Sequence, residues 1–216
     1  MKFKMKLKLT YYRLKGIGIL ALVPFVYVLF CVPVINYSIW SSSGSYDMLY
    51  DNIILASQNI IPFFSVWNSI FLLFHFVEQS GNEVLYIDER NKFTDIVMSF
   101  LPYIVCMIPL FAVYSIFFRW IWMFFIKVSI LCFAWLMLVY ALTFLFGNIS
   151  IGFICAMVIS IVGVITPGLI PVYVDYRESV FHFKEYFLLE ICPYAILALL
   201  FFLVGKLAND AYQKYV

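Results

Sequence analysis

Successive runs of about 20 apolar residues, separated by short polar breaks, constrain this chain more than any other feature. The runs cover roughly residues 17–39, 53–77, 96–118, the stretch reaching 146, the stretch from 149 to about 173, and 186–205. With 65% hydrophobic and only 12% charged residues in 216, a soluble fold of this size would leave much of its apolar surface in water. A bilayer removes that conflict, because each run is long enough to cross it as a helix that satisfies its own backbone. The expected fold is therefore all-α: a polytopic membrane protein with six transmembrane helices, forming a single transmembrane domain over 1–216. Prolines interrupt several runs, Pro24 and Pro33 in the first, Pro62 in the second, Pro102 and Pro109 in the third. Neighbouring helices can accommodate such breaks. A serine-rich stretch, 40–51, is expected to be a polar loop, and Thr166-Pro167-Gly168 with Pro171 breaks the end of the fifth run.

Charge distribution sets the orientation. Lys2, Lys4, Lys6, Lys8, Arg13 and Lys15 are six of the 14 basic residues, with no acid among them. A basic tail running directly into a long apolar helix is a cytosolic anchor rather than a nucleic-acid arm or a cleaved signal. Segment 1–16 is thus a basic interfacial stretch. With it inside, ten bases flank the spans on the inner side against four outside. Both termini are then cytosolic, as an even number of spans requires. Tyr11, Tyr12, Tyr37, Trp40, Trp120, Trp122, Tyr173 and Tyr176 fall at span ends, the usual place for interfacial aromatics.

Catalytic signatures are missing. Gly147 and Gly152 have phosphate-loop spacing, but Phe153 stands where a lysine is needed. No HExxH, GxSxG or GxGD string occurs. The five cysteines have neither metal nor disulfide spacing. His75 with Glu78 and His182 with Glu185 are each three apart, but the two pairs belong to opposite ends of the spans and cannot share a metal. No metal, cofactor or catalytic residue is expected in the chain itself.

Two features point to function. Lys127 and Glu190 are charges inside apolar runs, a functional pointer by default. Either both reach the outer interface along their stems, or they pair and line a polar intramembrane path. The second feature is segment 78–95, the most charged in the protein, with five acids and two bases. Asn82 can cap a short helix begun by Glu83. Val84, Leu85, Tyr86 and Ile87 give it an apolar middle, and Asp88, Glu89, Arg90 and Lys92 a charged end. Such a helix can dock into a groove on a soluble partner or lie on the bilayer, although bilayer helices usually carry a basic face and this one is net acidic.

In this segment the chain resembles the ABC-2 type permease family. The likeness rests on the six-span plan, the basic start, and the Glu-x-x-Gly-x-Glu element Glu78, Gly81 and Glu83. It continues through Leu85-Tyr86, the pair Arg90 and Lys92, and a proline-broken outer loop or re-entrant segment at 174–186. The resemblance implies that 78–95 is a cytosolic coupling segment whose helix, Val84 to Lys92, presses into a cleft on a separate ATP-binding cassette ATPase. The coupling residues would be Glu78, Gly81, Glu83, Val84, Leu85, Tyr86, Asp88, Arg90 and Lys92. ATP and magnesium would be bound by that partner. It further implies a multi-pass protein of the plasma membrane, paired with a second permease as homodimer or heterodimer, that exports peptides, drugs, lipids or polysaccharides. The small size resembles the short permeases of peptide-export and bacteriocin-immunity systems, and the sequence shows no substrate site. The alternatives are a non-transporting scaffold or assembly protein, and an intramembrane enzyme with an unfamiliar site.

Overall fold

The computed structural model describes residues 12, 15–78, 92–166, 170, 172–177 and 181–212. Among them there is no strand. Five helices are long and apolar enough to cross a membrane: α1 (Lys15–Ser43), α2 (Tyr46–Val77), α3 (Lys92–Tyr114), α4 (Ile121–Phe146) and α6 (Phe183–Ala211). A shorter apolar helix, α5 (Ile149–Ile165), has 17 residues. The chain is a helical membrane protein. Short links between α1 and α2, α3 and α4, and α4 and α5 make these neighbours antiparallel. One end of the bundle therefore gathers the link 166–182 between α5 and α6, and the other gathers Lys15, Glu78, Lys92 and Asn148.

Helix boundaries move from the sequence expectation in several places, three of them at breaks between helices. The loop expected at 40–51 shrinks to Gly44 and Ser45. Gly44 adopts a left-handed φ of 64° that closes α1, and Gly147 closes α4 in the same way at 61°. The Ser45 hydroxyl then accepts from Met48 N (3.4 Å) to open α2 seven residues before Ile53. The third run stops at Tyr114, short of Phe118. The fifth stops at Ile165, short of Tyr173, because Thr166 precedes a proline and is pushed out of helical geometry.

α4 forms the centre. In its apolar stretch 67% of residues are buried, against 22% in α1 and 17% in α6, which are the outermost helices. Val128, Cys132, Leu136, Met137 and Val139 of α4 have no exposed surface. A helix that is apolar all round belongs in such a position. The α4–α6 contact is the most extensive in the bundle, and small residues permit it. A Cβ added at Gly205 of α6 would lie 2.4 Å from Tyr140 Cδ1 and 3.1 Å from the Ala141 Cα. Close approach through glycine is the usual device where lipid supplies no hydrophobic drive between helices.

Proline breaks are absorbed locally. Pro62 cannot donate to the fourth carbonyl before it, and α2 turns at Val66. The Tyr103 hydroxyl donates to Ile61 O (2.8 Å), Ser65 to Pro62 O (2.6 Å) and Ser160 of α5 to Asn59 O (2.8 Å). Among the described residues two π-helical turns occur, Tyr27–Cys31 in α1 and Tyr186–Ile191 in α6. Each ends two residues before a proline, Pro33 and Pro193.

Gly205→Val should lower bundle stability by about 1–3 kcal/mol, the usual range for overpacking. Thermal unfolding in detergent measures it. Gly16→Ala, whose added Cβ meets nothing within 4 Å, should leave the transition unchanged.

Candidate functional site

The described residues of the link between α5 and α6 pack against the bundle, and one ionic cluster holds Ile170, Tyr173 and Val174 there. Lys127 lies six residues into α4 and Glu190 seven into α6, so both stand roughly 10 Å below their helix ends. They form an ion pair, and neither side chain has any exposed surface. Of the two alternatives left open by the sequence, the stems do not reach the outer interface; they turn inward and meet each other. The Lys127 ammonium also lies 5.7 Å from the Tyr194 ring centroid.

Each partner is further tied to the link. Glu190 Oε1 accepts from Tyr173 N (2.5 Å) and Val174 N (3.1 Å). With its amide oriented to satisfy both neighbours, Gln58 of α2 accepts from Lys127 Nζ (2.8 Å) and donates to Ile170 O (3.0 Å). Backbone groups of the link that have left regular structure thus find charged or amide partners instead of water. The π turn Tyr186–Ile191 places Glu190 there, and its first residue is anchored by the Tyr186 hydroxyl donating to Met123 O (2.8 Å).

Above the pair the link is sealed by aromatic rings and a surface clamp. Tyr176 has no exposed surface and its ring centroid lies 5.0 Å from that of Phe124; Phe181 lies 4.8 Å from Trp120. The Tyr50 hydroxyl accepts from Tyr176 N (3.1 Å). Arg177 donates to Asp175 (2.7 Å) and to Asp47 of α2 (2.5 Å), with its guanidinium 4.3 Å from the Tyr50 ring centroid. Hydrogen bonding from Arg177 holds the Asp175 carboxyl below its ordinary range, against a smaller opposing effect of burial. The Arg177 guanidinium is held charged still more firmly by the same bond.

At the same end, Asn52 donates to Asn36 Oδ1 (2.6 Å) and Asn36 donates to the Tyr114 hydroxyl, joining α1, α2 and α3. Asn36 and Tyr114 border an apolar groove of about 320 Å³, lined by Pro33 and Pro109 among others.

The opposite end holds Glu78 and Lys92, the residues on either side of the undescribed part of the expected coupling segment. Gly81, Glu83, Val84, Leu85, Tyr86, Asp88 and Arg90 lie outside the described residues, as does most of the basic stretch 1–16. Lys92 opens α3. Glu78 is described, and its Oε1 accepts from Ile149 N (2.9 Å), the first amide of α5. Asn148 caps the next amide, from Ser150 N (2.8 Å). A carboxylate at a helix N-terminus also meets the positive end of the helix dipole.

His75 and His182 sit near opposite ends of the bundle. His75 lies 28 residues along α2 from Asp47, which Arg177 clamps to the link, or roughly 40 Å along the helix. Among the described residues no group of three or more metal-ligating side chains converges.

Sequence reasoning singled out Lys127 and Glu190 but not Gln58, Tyr173 or Val174. Gln58 carried a signal, as part of the polar triplet Ser57-Gln58-Asn59 within an apolar run. The two main-chain donors carried none.

Breaking the pair on one side should be costly. Lys127→Met leaves a buried carboxylate without its cation and should destabilise the protein by about 3–5 kcal/mol. Adding Glu190→Gln should recover most of that, because a neutral amide oxygen still accepts from Tyr173 N and Val174 N. Unfolding of the single and double variants in detergent measures both. The surface clamp should follow the depressed Asp175 value. Its contribution is complete above the unfolded carboxylate pKa of about 3.9 and is lost as pH falls through the lower folded value. The stability difference between wild type and Arg177→Ala should stay flat from about pH 7 to 5 and shrink below about pH 4. Comparison with family models, curated proteins and solved structures returned no match for this chain.

Proposed function

We propose that this chain is the transmembrane permease subunit of an ABC-2 type transporter, an exporter driven by a separate ATPase subunit. In this reading α5 also spans, the six helices cross the plasma membrane with both termini in the cytosol, and the chain pairs with a second permease. The observation that carries the reading is the dry Lys127–Glu190 pair. A charge pair in an apolar bundle is a poor way to gain stability, and ionisable residues at membrane depth usually serve a path for polar cargo.

Two contacts supply a mechanical route for coupling. Glu78, where α2 leaves the bundle toward segment 78–95, is bonded to the first amide of α5. The far end of α5 runs into the link whose backbone is held by Glu190 and Gln58. A displacement imposed on the coupling segment by an ATPase would travel through Glu78 into α5, and from there to the link and its ion pair. Leu85 and Tyr86 are the apolar knob that the ATPase grips. Each would contribute roughly 1.5–3 kcal/mol from buried area, less the cost of association.

The test is co-purification of an ATPase with the tagged chain, repeated with Leu85→Ser and Tyr86→Ser together. The double substitution should abolish association and transport while membrane insertion persists. An unchanged complex with unchanged transport would remove the segment from the coupling role. Absence of any ATPase from the wild-type preparation would count against the permease reading as a whole.

A further inference from the structure

We propose that Lys127 Nζ and the main-chain N–H groups of Tyr173 and Val174 form a carboxylate-binding cradle, which Glu190 fills from within and which accepts the carboxylate of a ligand when Glu190 withdraws. The inference goes beyond the permease reading and does not depend on an ATPase.

The ownership of the groups carries it. All three donors, Lys127 Nζ and the two amides, belong to α4 and to the link, whereas their shared acceptor belongs to α6. Gln58, from α2, braces both parts of the donor set by accepting from Lys127 and donating to Ile170 O. The donors thus all come from α4 and the link and are braced by α2, while α6 contributes the occupant and the Tyr194 ring beside it. A cradle built by one set of elements and filled by another can change its occupant without being dismantled.

The chemistry fixes what that occupant is. The cradle offers one formal positive charge and two neutral donors, which match one carboxylate. A dianion would bring a second charge into a site with no exposed surface and, among the described residues, no second cation in the cluster. A neutral amide would leave the ammonium unpaired. Exchange is also one for one: a buried ammonium stripped of its anion is strongly unfavourable, so the site releases Glu190 only as another carboxylate arrives.

The position of Glu190 provides the means of withdrawal. It lies in the π turn Tyr186–Ile191, which holds one residue more than an α-helical register would. Reversion of that turn to α geometry rotates the side chain by about 100°, enough to take it off the cradle and let its stem carry the carboxylate toward water at the helix end while α6 remains a helix. The Tyr194 ring beside Lys127 Nζ and the buried Tyr176 above the pair give the cradle aromatic walls.

Glu190→Ala empties the cradle, and acetate is the probe. Thermal unfolding of the purified variant in detergent is measured in sodium acetate, sodium chloride and acetamide at equal concentration. Acetate should raise the transition by roughly 3–6 °C at about ten times its Kd, and neither chloride nor acetamide should do so. Wild type, whose cradle is filled, and the double variant Lys127→Met/Glu190→Ala should show no acetate-specific rise. If Glu190→Ala aggregates on extraction in chloride, the readout becomes the yield of monodisperse protein extracted in acetate against acetamide. Selective recovery in acetate supports the cradle. A response to acetate no larger than that of wild type or the double variant, or equal yields in acetate and acetamide, overturns it.

Discussion

The buried contact between an ammonium on α4 and a carboxylate on α6 organises this end of the bundle. Neither group could stay charged there alone. Their mutual attraction would not suffice either, since a carboxylate and an ammonium each have capacity beyond one partner. The structure fills that capacity with the two amides of the link and with Gln58. The positions of these link residues are therefore dictated from below: Ile170, Tyr173 and Val174 lie where their backbone groups complete the solvation of the pair. The aromatic seal of Tyr176 and Phe181 and the clamp at Arg177 then close over a backbone already placed.

A second theme is that irregular helix geometry falls where polar groups are needed. The π turn in α6 carries Glu190. The π turn in α1 leads into the helix that carries Asn36 to Tyr114. The break in α2 at Val66, one turn after Pro62, lies about two turns beyond Gln58 and Asn59. Within a membrane every freed carbonyl must find a donor, so a break demands side-chain hydroxyls or amides from neighbouring helices. Tyr103, Ser65 and Ser160 meet that demand around Pro62.

Much of the fold was legible because apolar run length is a strong signal in a membrane chain. The ends were less so. Ser41, Ser42 and Ser43 suggested a loop, yet their hydroxyls bond back to carbonyls of Ser38 and Ile39 within α1, and only Gly44 and Ser45 leave the helix. Serine is nearly neutral in helices, so three in a row did not decide the matter; the left-handed glycine did. Lys127 and Glu190 stood out because charge in an apolar run is conspicuous. Their partnership depends on how α4 and α6 pack and on the extra residue of a π turn, neither of which can be read from spacing. The donors at Tyr173 and Val174 are main-chain groups, which every non-proline residue possesses, so nothing in the sequence marks these two.

The helices differ greatly in length, and the bilayer must respond to that difference. α2 has 32 residues and α5 has 17, about 48 Å against 25 Å of straight helix. A hydrocarbon layer of about 30 Å is too thin for the first and too thick for the second. α2 relieves its excess through the bend at Val66 and a tilt. α5 has no such freedom, because Glu78 and Asn148 hold its first turn to the protein and proline chemistry ends its last. In the six-span arrangement proposed above, lipid around α5 thins locally, or protein covers its ends. Membrane thickness is then a thermodynamic variable for this molecule: a thicker bilayer pulls against the two ends of α5, one joined to Glu78 and the other to the link above the ion pair.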